Sequence, residues 1–222
     1  MTMVQDALAN LRRKIGRTGA IASAVLASLI AGAALSPVAA QMYSAGYEFL
    51  KAVDDRDGDT VTQMLNEPGS GETLVNTRDI TSGDTGLHIV TARRDALWIR
   101  FLVQRGANPN IRNAKGVTPI QIATRLGFVD GVEELIKGGA RINVADSQGE
   151  TPLISAVHQR NLPLVRRMLA EGADPDRNDN SGRSARDYIE LMSQNTLLKM
   201  ELEKADEERG EKGTEKQYGP SF

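Results

Sequence analysis

From residue 85 onward, apolar residues fall in paired short runs separated by polar turns, and the arrangement recurs every 33 residues. Thr85, Thr118, Thr151 and Ser184 stand 33 apart, as do Gly106-Ala107, Gly139-Ala140 and Gly172-Ala173, and Gly116, Gly149 and Gly182. After each Thr comes a first run: Ile120, Ile122 and Ala123, or Leu153 and Ala156, at the spacing of one helical face. A second run follows, Val132, Leu135 and Ile136, or Leu164, Val165, Met168 and Leu169, again at helical spacing. Thr at the N-cap offers its hydroxyl oxygen to a free helix N–H, and Pro119, Pro152 and Pro163 occupy first-turn positions where proline has no hydrogen bond to lose. Gly106, Gly139 and Gly172 sit where a left-handed cap residue is wanted. The segments that follow, NPNIRN, RINVAD and DPDRND, are rich in turn formers and too short for helices. The pattern predicts helix, tight turn, helix and extended turn, stacked so that each unit buries its apolar face only against its neighbours.

The unit from Gly116 reads GVTPIQIATRLGFVDGVEELIKGGARINVADSQ, and the one from Gly149 reads GETPLISAVHQRNLPLVRRMLAEGADPDRNDNS. The unit before them, GDTGLHIVTARRDALWIRFLVQRGANPNIRNAK, starts at Gly83. On these residues the chain resembles the ankyrin repeat family, whose units open with TPLH-x-A and close with a GA(D/N) turn. The resemblance runs without a gap from Gly83 to about Ser184. It implies an all-α ankyrin-repeat solenoid of helix-turn-helix units with an N-cap, three central repeats and a C-cap. Repeats are expected over about residues 47–82, 83–115, 116–148 and 149–181, with the cap over 182–205. In the first unit Tyr47 stands where Thr belongs, and the Gly/Pro/Ser-rich stretch Asn66 to Leu74 is expected as a loop that breaks the period. In the last, Arg186 replaces the expected apolar residue.

Composition narrows the function classes. Aromatics are only 4%, natural in a solenoid packed from Leu, Ile, Val and Ala. There is no cysteine, hence no disulfide framework, cysteine metal site or thiol nucleophile. Residues 1–40 read as a secretory signal: Arg12, Arg13, Lys14 and Arg17, then the uncharged apolar run Ala20 to Leu35, then SPVAA with expected cleavage after Ala40. The alternative is an uncleaved membrane anchor, although 16 residues are short for a span, which takes roughly 20. Arg12-Arg13 leaves twin-arginine export open beside the general secretory route. The whole chain carries −2, and removing a leader of four basic residues and Asp6 leaves about −5. A mildly acidic mature protein with no basic run is not expected to bind nucleic acid. Residues 206–222 are expected to form a solvated, irregular charged tail.

The chain shows no nucleophile–base pair, phosphate loop or metal cluster, so no catalytic residue, metal site or cofactor is expected. His88 occupies the His of the TPLH-like motif, where the resemblance implies a structural imidazole. Trp98, beside Ile99, Phe101 and Leu102, is expected in the core. The aspartate-rich stretches Asp54 to Asp59 and Asp174 to Asp179 lack the glycine and distal glutamate of a calcium loop and read as turn residues.

In the ankyrin family, partners meet the turn tips and the exposed ends of the first helices. Carried onto this sequence, the turn tips include Asp84, Arg112 and Lys115, and the helix ends are Arg93, Arg125 with Leu126, and His158 with Gln159. Arg93, Arg112, Lys115 and Arg125 cluster in two units with only Asp84 against them, a local basic patch suited to an acidic or carboxylate-bearing surface. The expectation is a monomeric, non-enzymatic protein-interaction module in the periplasm of a Gram-negative bacterium. Two alternatives stay open: an exported effector acting on a foreign protein, and an envelope protein binding a small molecule or cell-wall fragment.

Overall fold

The computed structural model describes residues 37–69, 71–192 and 195–215. The chain divides into two compact units, Met1–Ser44 and Ala45–Phe222. Of the first, only the backbone of residues 37–44 is described; it is helical from Pro37, a residue at home in a first helical turn. The expected leader therefore lies outside the described residues but for its last four. Among the described residues, no helix is long and apolar enough to cross a membrane.

Among the described residues all regular structure is helical. The helices are α1 (Pro37–Asp55), α2 (Gly58–Asn66), α3 (Gly71–Val75), α4 (Gly86–Ala92), α5 (Ala96–Gln104), α6 (Pro119–Arg125), α7 (Val129–Lys137), α8 (Pro152–His158), α9 (Leu162–Ala170), α10 (Ala185–Leu191) and α11 (Thr196–Glu215). First helices stack in a row, α4 on α6 on α8 on α10, and second helices in a parallel row, α5 on α7 on α9 on α11. The core lies between the rows. Leu87, Ile120, Leu153 and Ile189 come from the first helices and Leu102, Leu135, Leu164 and Leu198 from the second, all with at most 1% exposure. Trp98 lies at the margin of this core, half-buried and edge-on to Phe101 at 5.4 Å.

Each first helix opens on a side-chain cap at the repeating Thr or Ser, and three units close it into a reciprocal box. In α4 the His88 Nδ1 accepts from the Thr85 N–H at 3.1 Å. Because Nδ1 accepts, Nε2 carries the proton and donates to the Val117 carbonyl of the next unit at 3.0 Å. In α6, Gln121 Oε1 accepts from Thr118 N and Oγ1 at 2.9 and 3.0 Å. In α10, Asp187 accepts from Ser184 N and Oγ at 2.8 Å each.

Side chains tie the extended turns to one another. Asn76, Asn110 and Asn143 accept from Asn108 N, Arg141 N and Asp174 N at 2.7, 2.8 and 2.9 Å, one unit to the next. Two turn glycines allow the backbones to touch. A Cβ on Gly83 or Gly149 would lie 2.7 Å from Ala114 N or Asn180 N, and both glycines have positive φ, +69° and +76°. Ala114 N and Asn180 N then donate to the carbonyls of Ser82 and Gln148 at 2.9 and 3.0 Å.

Two stretches differ from the sequence expectation. The Asn66–Leu74 loop contains most of α3, because Leu74 and Val75 have core positions to fill. Residues 206–215, expected as part of an irregular tail, continue α11. Composition missed the docking contacts that hold this helix: Leu202 and Ala205 are buried, Asp206 pairs with Arg186, and Arg209 Nη2 donates to the Ala173 carbonyl at 2.9 Å. Arg186, out of place as a core residue, forks between Asp176 in the preceding turn at 2.6 Å and Asp206 at 2.8 Å. It fastens the last helix to the stack.

Candidate partner-binding groove

The four cations that the sequence groups as a basic patch, Arg93, Arg112, Lys115 and Arg125, do not form one free patch. Arg93, at the end of α4, is turned inward. Its Nη1 donates to the carbonyl of Val53 and, at 3.0 Å, to that of Asp54, its Nε lies 3.4 Å from Asp95, and its guanidinium covers the Trp98 ring at 5.1 Å. Burial pushes its pKa below the ordinary value, partly offset by Asp95. Arg93 thus holds the N-terminal unit to the first central repeat. Arg112 is exposed, but its Nη1 and Nη2 donate to the carbonyls of Gly116 and, at 3.0 Å, Ala145, closing its own turn onto the next. Gln159 Nε2 likewise donates back to the Thr124 carbonyl at 3.0 Å.

Lys115 and Arg125 are different. Both are exposed, and neither side chain has a hydrogen bond or ion pair among the described residues. Arg125 ends α6 and is followed by half-buried Leu126, whose carbonyl takes a hydrogen bond from Arg94. His158 ends α8, with its ring edge-on to Tyr188 at 4.4 Å and Nδ1 3.8 Å from a Glu150 carboxylate oxygen.

Between α6 and α8 lies a small open cleft whose lining includes Gln121, Thr124, Arg125, Asp146, Glu150 and Ser155, with about 10 Å³ of space, room for roughly one water. The sequence offsets gave Arg125 no acidic neighbour, yet Asp146 and Glu150 of the following unit share this cleft. Asp146 is partly committed, since one oxygen accepts from Gln148 N and Glu150 N at 2.8 and 3.0 Å. Gln121 Nε2 is buried here without a partner. The cleft therefore brings Arg125 and the Gln121 amide together with the carboxylates of Asp146 and Glu150. Among the described residues no group of three His, Cys, Asp or Glu side chains is placed to hold a metal ion.

An ion-pair ladder on the second helices was not legible from the repeat offsets. Arg100 pairs with Glu134, Glu133 with Arg167 at 2.9 Å, and Arg166 with Glu201, each joining one unit to the next. Its sequence signal is the basic residue at 100 and the acid–base alternation at 133–134 and 166–167, which makes sense only once second helices are known to stack.

A model of the family described as ankyrin repeats (3 copies) matches residues 49–146 and again 87–179. The chain belongs to the ankyrin repeat family, whose members generally serve as non-enzymatic modules for protein–protein interaction. It is also similar to the oxysterol-binding protein homolog 1 of Saccharomyces cerevisiae, 35% identical over 80 residues, which are 36% of this chain and 7% of that protein. The match thus spans a small part of that relative's length.

Proposed function

We propose that the mature chain is an exported, periplasmic protein-interaction module that holds its partner in the groove over α6 and α8, with Arg125, Lys115 and His158 in contact. The observation that carries this is selective: Arg93, Arg94 and Arg112 hold backbone carbonyls, whereas Lys115, in the turn before α6, and Arg125, at the end of α6, keep free cationic heads. A rigid stack presents these groups with little ordering cost on association. An acidic segment of the partner suits the two cations, and its donors would meet Glu150 and Asp146.

The test is crosslinking and recovery from cells expressing the tagged full chain on its own leader, beside a Lys115→Glu/Arg125→Glu variant. A protein recovered with the parent chain and lost with the variant supports the groove. Equal recovery by both sinks it. Fractionation of the same cells tests export: cytoplasmic retention of the unprocessed chain would count against the periplasmic assignment.

A further inference from the structure

A second charged feature lies on the extended turns, away from the groove cleft. Three consecutive turns contribute Arg112, Arg141 and Arg177 to the wall of one open trough of about 500 Å³, with half-buried Ile142 and Val144 among its lining residues. No carboxylate lines it. Arg141 and Arg177 are exposed, and their guanidinium groups make no ion pair or hydrogen bond among the described residues. Arg112 is held at one end by the carbonyls of Gly116 and Ala145, which fix its position without neutralising it. The nearest acid in sequence, Asp176, is engaged by Arg186 at 2.6 Å. On a mature chain of about −5, three unneutralised arginines around an apolar strip form a local inversion of charge.

We infer that this trough is a docking site for an acidic linear segment of a partner protein. The inference rests on the protein-interaction reading above and adds a second contact surface with a stated chemistry. Guanidinium groups match carboxylates in bidentate geometry. A polyproline-II segment has three residues per turn and rises about 3.1 Å per residue, so acidic side chains at every third position share the face turned to the arginines. The apolar side chains of Ile142 and Val144 favour a peptide with aliphatic residues between its acids over a wholly polar polyanion.

The experiment is fluorescence anisotropy on the full chain with a labelled peptide of about ten residues, glutamate at every third position and valine or leucine between. A second peptide carries glutamine for each glutamate. Saturable binding of the acidic peptide alone, weakened about tenfold or more by Arg141→Glu/Arg177→Glu and far less by Arg125→Glu, supports the trough. Arg112 is left intact because it closes two turns, and circular dichroism of the double variant verifies its fold. Failure of the parent chain to bind the acidic peptide overturns the inference, and leaves the groove to be judged by recovery of its own partner. Loss with Arg125→Glu alone moves the acidic contact to the groove and overturns the trough. Tighter binding of a sulfated oligosaccharide than of the peptide assigns the arginines to glycans and overturns it also.

Discussion

Arg100 of α5 grips Glu134 of α7 through two parallel hydrogen bonds, Nε to Oε2 at 2.8 Å and Nη2 to Oε1 at 2.9 Å. Lys137 adds a third contact at 3.3 Å. The Glu134 side chain is buried, and the hydrogen bonds from Arg100 do most to hold its pKa down from an ordinary 4.5 to about 2, against the opposing effect of burial. A depressed carboxylate pKa means the folded state binds fewer protons than the unfolded one. This contribution is complete above about pH 4.5 and is lost as pH falls toward 2. Glu134→Gln is therefore expected to lower Tm at pH 7, with the difference shrinking as acid protonates the parent chain. Calorimetry at pH 7 and near pH 2.5 checks this, and an equal gap at both would show that charge is not the source.

His88 gives acid sensitivity in a higher range. Burial is the main cause of its lowered pKa, and its Nδ1 already accepts from Thr85, so a second ring proton would face an N–H. The neutral form is favoured on folding, so the stabilisation is present above the ordinary value of 6.5 and declines as pH falls below it. His88→Gln copies the cap that Gln121 makes one unit later. It should cost about 1 kcal/mol at pH 8 through the lost bond to Val117 and flatten the decline below 6.5. Urea unfolding across pH 5 to 8 measures both, and an unchanged slope would clear His88 of the acid sensitivity.

The fold was legible because its determinants are local and repeated. Thr118, Pro119, Gly139 and their counterparts 33 residues away each announce a helix boundary, and the apolar spacing announces which face is buried. The site was less so. Arg93 and Arg125 stand one position apart in their units: Arg93 matches Leu126 and Gln159, and like Gln159 it donates back to a backbone carbonyl of the preceding unit, whereas Arg125 matches Ala92 and His158 and is exposed. Whether a polar residue at a helix end is structural or exposed thus turns on a one-residue difference in offset, and the helix-end assignment carried both positions together. Arg186 and α11 failed to read because the charged helix is docked by Arg186, whose partners Asp176 and Asp206 lie ten and twenty residues from it in sequence.

That difference between the two arginines is itself testable. Arg93→Glu would place a carboxylate against two backbone carbonyls and remove the cover from Trp98, so it should lower Tm by several degrees and alter tryptophan fluorescence. Arg125→Glu, at an exposed position with no intramolecular partner, should leave Tm within about 1 °C. Equal shifts in Tm for the two variants would contradict the separate roles assigned to them.

Arg186→Leu restores the apolar residue that the repeat pattern asks for while cutting the fork to Asp176 and Asp206. The loss should be local, since units in a stack open from their ends. Hydrogen exchange is expected to quicken across residues 196–209 and to stay unchanged in α4 through α8. Protection retained in the last helix would mean that Leu198, Leu202 and Ala205 hold it without the fork.

The buried Gln121 amide points to a change in the opposite direction. Its Oε1 serves the Thr118 cap, yet its Nε2 is buried with no partner. One unit earlier His88 meets both demands, accepting from Thr85 N and donating to the carbonyl of Val117. The residue 33 beyond Val117 is Glu150, and the two carbonyls are alike in their turns: Val117 O accepts from Asn113 N at 2.9 Å and Glu150 O from Asp146 N at 3.1 Å. Gln121→His should therefore gain the missing bond, raise stability by about 1 kcal/mol at pH 8, and add a second decline below about pH 6.5. Urea unfolding of the full chain at both pH values decides it. A destabilised variant at pH 8 would mean that the amide is already satisfied by a water in the roughly 10 Å³ cleft that imidazole would displace.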